Sequence, residues 1–143
     1  MILVDANLLL YAHDETSPHH REARDWLEAT LSNEPDVRLG IATILAYLRL
    51  STDPRVFIQP STIEAAMADV NAWLARDNVS LALPADGHWT RLATIAAAAK
   101  ARGPLVMDAH LATLALERGA RVASTDRDFA RFAGLTVIDP LGG

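Results

Sequence analysis

Short apolar runs alternate along this chain with longer stretches of helical periodicity. Ile2 to Val4 is an uninterrupted apolar triplet ended by Asp5, and further compact runs fall at Leu39 to Ile41, Val79 to Leu83, Val122 to Ala123 and Thr136 to Ile138. Apolar runs this short, bounded by polar or turn residues, predict buried strands. Between them, His19 to Leu31 sets Ala23, Trp26, Leu27 and Leu31 on one face, behind Ser17-Pro18 as a helix start signal. Thr43 to Leu50, Thr62 to Leu74, Trp89 to Ala101 and Met107 to Glu117 show the same periodicity, the last closed by Gly119. Strands alternating with helices predict an α/β fold with a parallel sheet covered by helices on both faces. No repeat, low-complexity tract or linker interrupts this order, so a single domain over 1–143 is expected.

Composition narrows the chemistry. A chain of 143 residues that is 50% hydrophobic can bury roughly 70% of the surface its unfolded form exposes. The absence of cysteine excludes a disulfide framework, a thiolate zinc site and a cysteine nucleophile, so any metal must be held by oxygen or imidazole. The start carries an acid at position 5, no basic lead and no cleavage-like site, so a cytoplasmic protein without a secretory signal is expected. The alanine-rich stretch from Leu92 to Ala101, with Thr94 and Lys100 inside it, falls far short of the ~20 apolar residues that span a bilayer. It is expected as an ordinary buried helix, with no membrane partner. The net charge of −5 argues against a protein that coats nucleic acid with a basic surface. It leaves room for an acidic site bridged to phosphate by metal cations.

In an open parallel sheet, ligands bind outside the carboxyl ends of the strands, near a topological switch point, and the acids of this chain gain their meaning there. Asp5 directly follows the first strand. Asp108 lies in Pro104-Leu-Val-Met-Asp-Ala-His, in the first turn of a strongly apolar helix, and Asp126 and Asp128 lie where Val122-Ala-Ser-Thr leaves a strand. Each has a plain structural reading. Asp5 and Asp126 suit N-caps, and Asp108 and Asp128 suit first-turn positions, where an acid gains about 0.3–1 kcal/mol from the helix dipole. Three segments together would crowd negative charge, and carboxylates that close raise one another's pKa unless a cation intervenes. Oxygen-only ligands suit Mg²⁺ or Mn²⁺. Such an ion can lower the pKa of a bound water and stabilise in-line displacement at phosphorus. There is no Gly-x-Ser-x-Gly elbow and no P-loop to supply another chemistry.

Four segments then match a known pattern: Leu3-Val-Asp-Ala-Asn-Leu-Leu-Leu-Tyr-Ala12, Leu48-Arg-Leu-Ser-Thr-Asp-Pro-Arg-Val-Phe57, Val106-Met-Asp-Ala-His-Leu-Ala112 and Ser124-Thr-Asp-Arg-Asp-Phe129. In this order they resemble the PIN-domain ribonucleases, above all the VapC toxins of bacterial toxin–antitoxin pairs, from Met1 to about Pro140. The resemblance implies a PIN-like three-layer α/β/α fold with a short central parallel sheet. It implies a Mg²⁺- or Mn²⁺-dependent endoribonuclease that cuts structured RNA, commonly tRNA or rRNA. It further implies a homodimer neutralised by a small VapB-like antitoxin. Carried over by residue, Asp5, Asp108 and Asp126 match the metal-binding catalytic carboxylates, Asp128 an auxiliary catalytic acid, and Asn7 and Thr125 polar positions that hold the acids. One departure stands out. Many members carry a glutamate just before the Arg49 position, where this chain reads Ala46-Tyr47-Leu48. One-metal catalysis, or a catalytically weak binding module, therefore stands beside the two-metal enzyme.

Other residues have double readings. Arg49 suits a helix C-terminus or contact with RNA phosphate or the antitoxin, and Arg127 suits phosphate or a neighbouring carboxylate. His110, two residues beyond Asp108, is expected to pack away from it. His13, His19, His20 and His88 show no metal-binding spacing and are expected to be solvated. Trp26, Trp73 and Trp89 are expected in the core, Phe57 could anchor a partner segment, and Lys100 is a poor candidate for a phosphotransfer lysine.

Overall fold

The computed structural model describes residues 1–142. Strands β1 (Ile2–Val4), β2 (Val37–Gly40), β3 (Val79–Ala82), β4 (Arg121–Ala123) and β5 (Val137–Ile138) form one sheet in the order β3-β2-β1-β4-β5. Every neighbouring pair is parallel. The central strand β1 is uninterruptedly apolar because helices cover both of its faces, and its three residues are buried. Side chains alternate across a strand, so Ile2 and Val4 enter one core cluster with Leu8, Leu27, Tyr47 and Val70. Leu3 points the other way, into a cluster with Leu111, Leu114, Val122 and Phe129.

Helices α1 (Ala6–His13), α2 (His20–Asn33), α3 (Ile41–Ser51) and α4 (Ile63–Leu74) supply the first cluster. Helices α5 (His88–Ala98) and α6 (Leu105–Leu116), with a 3-10 turn over Arg127–Arg131, supply the second. The result is the expected three-layer α/β/α arrangement. The chain moves outward from β1 through β2 to β3, then crosses back to β4 and β5 on the other side. The topological switch therefore falls between β1 and β4, at Asp5 and Ser124.

Three expectations need correction. The second strand starts at Val37 and stops at Gly40, where Leu39 to Ile41 was expected. Arg38 hid its start, and it sits in the strand because its guanidinium donates to Asp36 at 2.7 Å and to the Leu81 carbonyl at 3.4 Å. Its end is set by Gly40, where a Cβ would lie 3.2 Å from Leu114 Cδ1, so the bare backbone lets α6 pack close; Ile41 opens α3. The stretch from Leu92 to Ala101 is not a buried helix. Helix α5 ends at Ala98 and contains no buried residue, because it packs mainly on α6 rather than on the sheet. Trp89, expected in the core, is 77% exposed on that outer helix. Trp26 and Trp73 do pack against the first cluster, Trp73 with its ring 4.9 Å from that of Tyr47. Among the described residues no helix is long and apolar enough to cross a membrane.

Candidate active site

The ends of β1 and β4 are tied together at the switch point. The Asp5 amide donates to the Ala123 carbonyl at 2.9 Å, and Asp5 caps α1 from an extended backbone, its Oδ1 accepting from the Ala6 amide at 2.8 Å. Its Oδ2 accepts from the Ser124 hydroxyl at 2.6 Å, and that hydroxyl in turn accepts from the Asp126 amide at 3.0 Å. Asp126 caps the 3-10 turn, its Oδ1 accepting from the Asp128 amide at 2.9 Å. The capping readings of Asp5 and Asp126 are correct and leave further acceptor capacity on each carboxylate. Asn7 Nδ2 donates to Thr125 Oγ1 at 2.9 Å and closes the same corner.

Asp108 differs from its neighbours. It stands in the first turn of α6, its carboxyl accepts no hydrogen bond among the described residues, and burial pushes its pKa up to about 6. Repulsion from Asp126, Asp5 and Asp128 adds to that rise. Burial also raises Asp5, against the bonds from Ser124 and Ala6, and Asp126 raises it further. Four acids from three chain segments thus share one field. Among the described residues no three metal-ligating side chains already form a closed cage. The donor set nevertheless fits a hard cation: oxygen ligands, mutual repulsion that raises Asp5 and Asp108, and Asn7 Oδ1, a buried acceptor without a partner. Asp5, Asp108 and Asp126 are the residues that could hold it.

Two cavities meet at Asp108. One of about 610 Å³ runs between α3 and α6 and is lined by Asp5, Asp108, Thr43, Ala46, Arg49 and His110 among others. Arg49 therefore lines the same cavity as Asp5 and Asp108, and Ala46 lines it in the segment where many family members carry a glutamate. A smaller one of about 270 Å³ brings Asp108, Asp126 and Asp128 together with Lys100, Arg102 and Arg131. The sequence pattern did not mark these three bases. Their signal was faint: Arg131 stands three residues after Asp128, 3.8 Å from its carboxylate, and Lys100 and Arg102 flank the loop before α6. Arg127 lines neither cavity and pairs with no carboxylate among the described residues.

The histidines also differ from expectation. His19 is exposed, but His88 is not solvated: its side chain is 11% exposed, and its Nδ1 lies 2.5 Å from Glu117 Oε1. Its Nε2 lies 3.1 Å from His110 Nδ1. His13 Nε2 lies 3.1 Å from the Ser61 hydroxyl, His20 Nδ1 lies 3.1 Å from the Tyr11 carbonyl, and Phe57 packs edge-on against His13. His110 packs on a different face from Asp108, as expected, with His88 as its neighbour, and it also lines the larger cavity. Along α6, at 100° per residue, Met107, Leu111 and Leu114 form the ridge facing that cavity, with Asp108 and His110 on its opposite flanks.

Comparison with known proteins agrees with this geometry. The model of the PIN domain matches residues 2–135. Ribonuclease VapC37 of Mycobacterium tuberculosis is 41% identical over 140 residues, covering 98% of this chain and 97% of its own. The VapC ribonuclease Mb2897 of Mycobacterium bovis is 35% identical over 143 residues, covering 100% and 97%. Among solved structures, VapBC2 from Rickettsia felis bound to a promoter DNA fragment superposes with a TM-score of 0.67 at 14% identity, over 96% of this chain and 98% of that one. VapC20 of Mycobacterium tuberculosis, described as a sarcin-ricin loop cleaving toxin, gives 0.66 at 19% identity, over 95% and 97%. The chain belongs to the PIN-domain family, among its VapC-type members.

Proposed function

We propose that this PIN-domain chain is a Mg²⁺- or Mn²⁺-dependent endoribonuclease, the toxin of a VapBC-type pair. It hydrolyses phosphodiester bonds in structured RNA such as tRNA or rRNA. A small VapB-like antitoxin neutralises it, and it works as a homodimer. The observation that carries the reading is Asp108, a half-buried carboxyl without a donor, raised to about 6 beside three other acids at the sheet's switch point. The full-length relatives named as VapC ribonucleases support it.

In this reading Asp5, Asp108 and Asp126 hold the cation, which supplies an activated water and charge stabilisation at the scissile phosphate. Ser124 orients Asp5 and Asp126 together through one hydroxyl. Asp128, linked through its amide to Asp126, adds negative charge to the same field. Asn7 and Thr125 fix the corner from which Asp5 projects. Arg49 binds backbone phosphate from the cavity wall, with Arg127 outside it on the 3-10 turn. Ala46 offers no carboxylate, which favours one ion over two.

The test is cleavage of total cellular RNA by purified protein with Mg²⁺ or Mn²⁺, beside Asp5→Asn and Asp108→Asn. Loss of cleavage in both variants, with unchanged circular dichroism, is expected. Wild-type rates in either would overturn the assignment. No cleavage by the wild type, together with no heat on titrating either ion, would leave the binding-module reading.

A further inference from the structure

The link from α5 to α6 passes twice through left-handed backbone, at Lys100 with φ 53° and at Gly103 with φ 57°. The first of these closes α5: the Lys100 amide donates to the Ala97 carbonyl at 3.1 Å and the Ala101 amide to the Ala96 carbonyl at 2.9 Å. That pair of bonds is a Schellman closure, whose left-handed position ordinarily takes glycine, because a Cβ there crowds the backbone. In this chain it holds the only lysine among 13 basic residues. A long cationic side chain kept where glycine would be easier points to a use for that side chain.

Lys100 lines the smaller cavity beside Asp108, together with Arg102, Arg131 and the acids Asp126 and Asp128. All three cations are exposed. Were they there to neutralise the acids, they would be paired with them. Among the described residues Lys100 and Arg102 form no ion pair, and Arg131 makes only its 3.8 Å approach to Asp128, with both side chains 57% exposed. A pair so open to water is worth little. The larger cavity has a cation of its own in Arg49, and the two cavities share Asp108. Exposed cations therefore stand in both cavities that meet at this carboxylate.

A polyanion laid across Asp108 meets these cations on either hand. We propose that Lys100, Arg102 and Arg131 form a substrate-positioning subsite that binds the RNA backbone phosphate next to the scissile one, across Asp108 from Arg49. A guanidinium offers paired donors to phosphate oxygens and an ammonium a compact charge, and both suit a backbone phosphate. Contacts of this kind set register and carry no sequence information. The inference rests on the nuclease reading, because it takes Asp108 as the place where the scissile phosphate lies.

The experiment reads binding and cleavage separately. Affinity for an RNA hairpin is measured by fluorescence anisotropy with Ca²⁺ over a range of KCl, and kcat/KM is measured with Mn²⁺ on an RNA that the wild type cuts. Lys100→Gly removes the crowded Cβ, so its melting midpoint is expected to equal or exceed that of the wild type. Its affinity should nevertheless fall about fivefold, and the slope of log affinity against log salt should become shallower by about 0.7, the worth of one phosphate contact on a single strand. Arg102→Ala and Arg131→Ala should change affinity and slope in the same direction. On the cut RNA, single methylphosphonate linkages remove one backbone charge at a time, each beside a 2′-deoxy sugar and compared with the same sugar on an ordinary phosphate. The wild type should lose about tenfold in kcat/KM at one linkage next to the cut. Lys100→Gly should lose nothing further there and keep the wild-type loss on the other side of the cut, where Arg49→Ala should be the insensitive variant. The proposal is overturned if Lys100→Gly keeps the wild-type affinity and salt slope, or the wild-type penalty at every linkage. It is equally overturned if that variant shifts the Mn²⁺ midpoint of cleavage with RNA affinity unchanged, which would make the cations counter-charges for the acids. A wild type that binds the hairpin and cleaves nothing defeats the nuclease reading alone, and the salt slopes still decide the subsite.

Discussion

The two ends of α6 hold acids in opposite circumstances. The Glu117 side chain is only 1% exposed, yet its pKa is held down, because an amide, a histidine and two arginines surround it. Asp108 is half buried, and its pKa rises to about 6 because burial penalises its charge and the nearby acids Asp126, Asp5 and Asp128 add to the rise. Burial pushes both upward, and their partners reverse that rise at Glu117 and reinforce it at Asp108. A carboxylate supplied with donors is a structural tie, whereas one left among like charges is a place that a cation would stabilise.

The sharpest way to break this contrast is activity. Asp108→Asn or Asp5→Asn is expected to lower RNA cleavage by about a thousandfold or more, on the order of 4 kcal/mol of transition-state stabilisation, while Glu117→Ala remains cleavage-competent at low temperature. Stability should show the reverse order. Glu117→Ala removes the acceptor of the Ala85 amide and the partner of the largely enclosed His88, and is expected to cost about 2–3 kcal/mol in urea denaturation; an unchanged midpoint would deny Glu117 its structural role.

Mg²⁺ should separate the acids more gently. At tenfold excess over its dissociation constant it is expected to stabilise the wild type by about 1.4 kcal/mol. It should leave Asp108→Asn unmoved, read as a thermal shift. The gain should fade as pH drops through about 6, where Asp108 takes up its proton.

The smallest effect has a definite sign. A folded pKa of about 6 lies above the ordinary 3.8, so the unfolded chain ionises first. Metal-free stability therefore falls as pH rises through that window and stays lower above it. Asp108→Asn mimics the protonated form and should stabilise the metal-free protein by about 1 kcal/mol at pH 7, after allowance for solvent screening. At pH 3, where both states are protonated, it should change nothing.

Strand β1 and the acids around it were legible because their signals are local. Ile2-Leu3-Val4 is apolar throughout since both faces are covered, and Asp5 and Asp126 sit at strand ends where caps belong. The start of β2 was missed because Arg38 interrupts its apolar run, a polarity that only the partners Asp36 and Leu81 make tolerable. Helix α5 was misplaced for the opposite reason: alanine-rich periodicity is the same whether a helix lies on a sheet or on another helix. His88 was read as solvated because its partners, Glu117 and His110, are 29 and 22 residues away.

Hydrophobic period and chain order thus determined by themselves the alternation of strands and helices, the layers, and the three segments that carry Asp5, Asp108 and Asp126. Only the tertiary structure decided which polar groups meet across those segments. It set Ser124 between Asp5 and Asp126, left Asp108 without a donor, and turned His110 toward the cavity through His88 and Glu117. The physical reason is range: backbone preference and burial act through neighbours in the chain, whereas hydrogen bonds and charge act through neighbours in space.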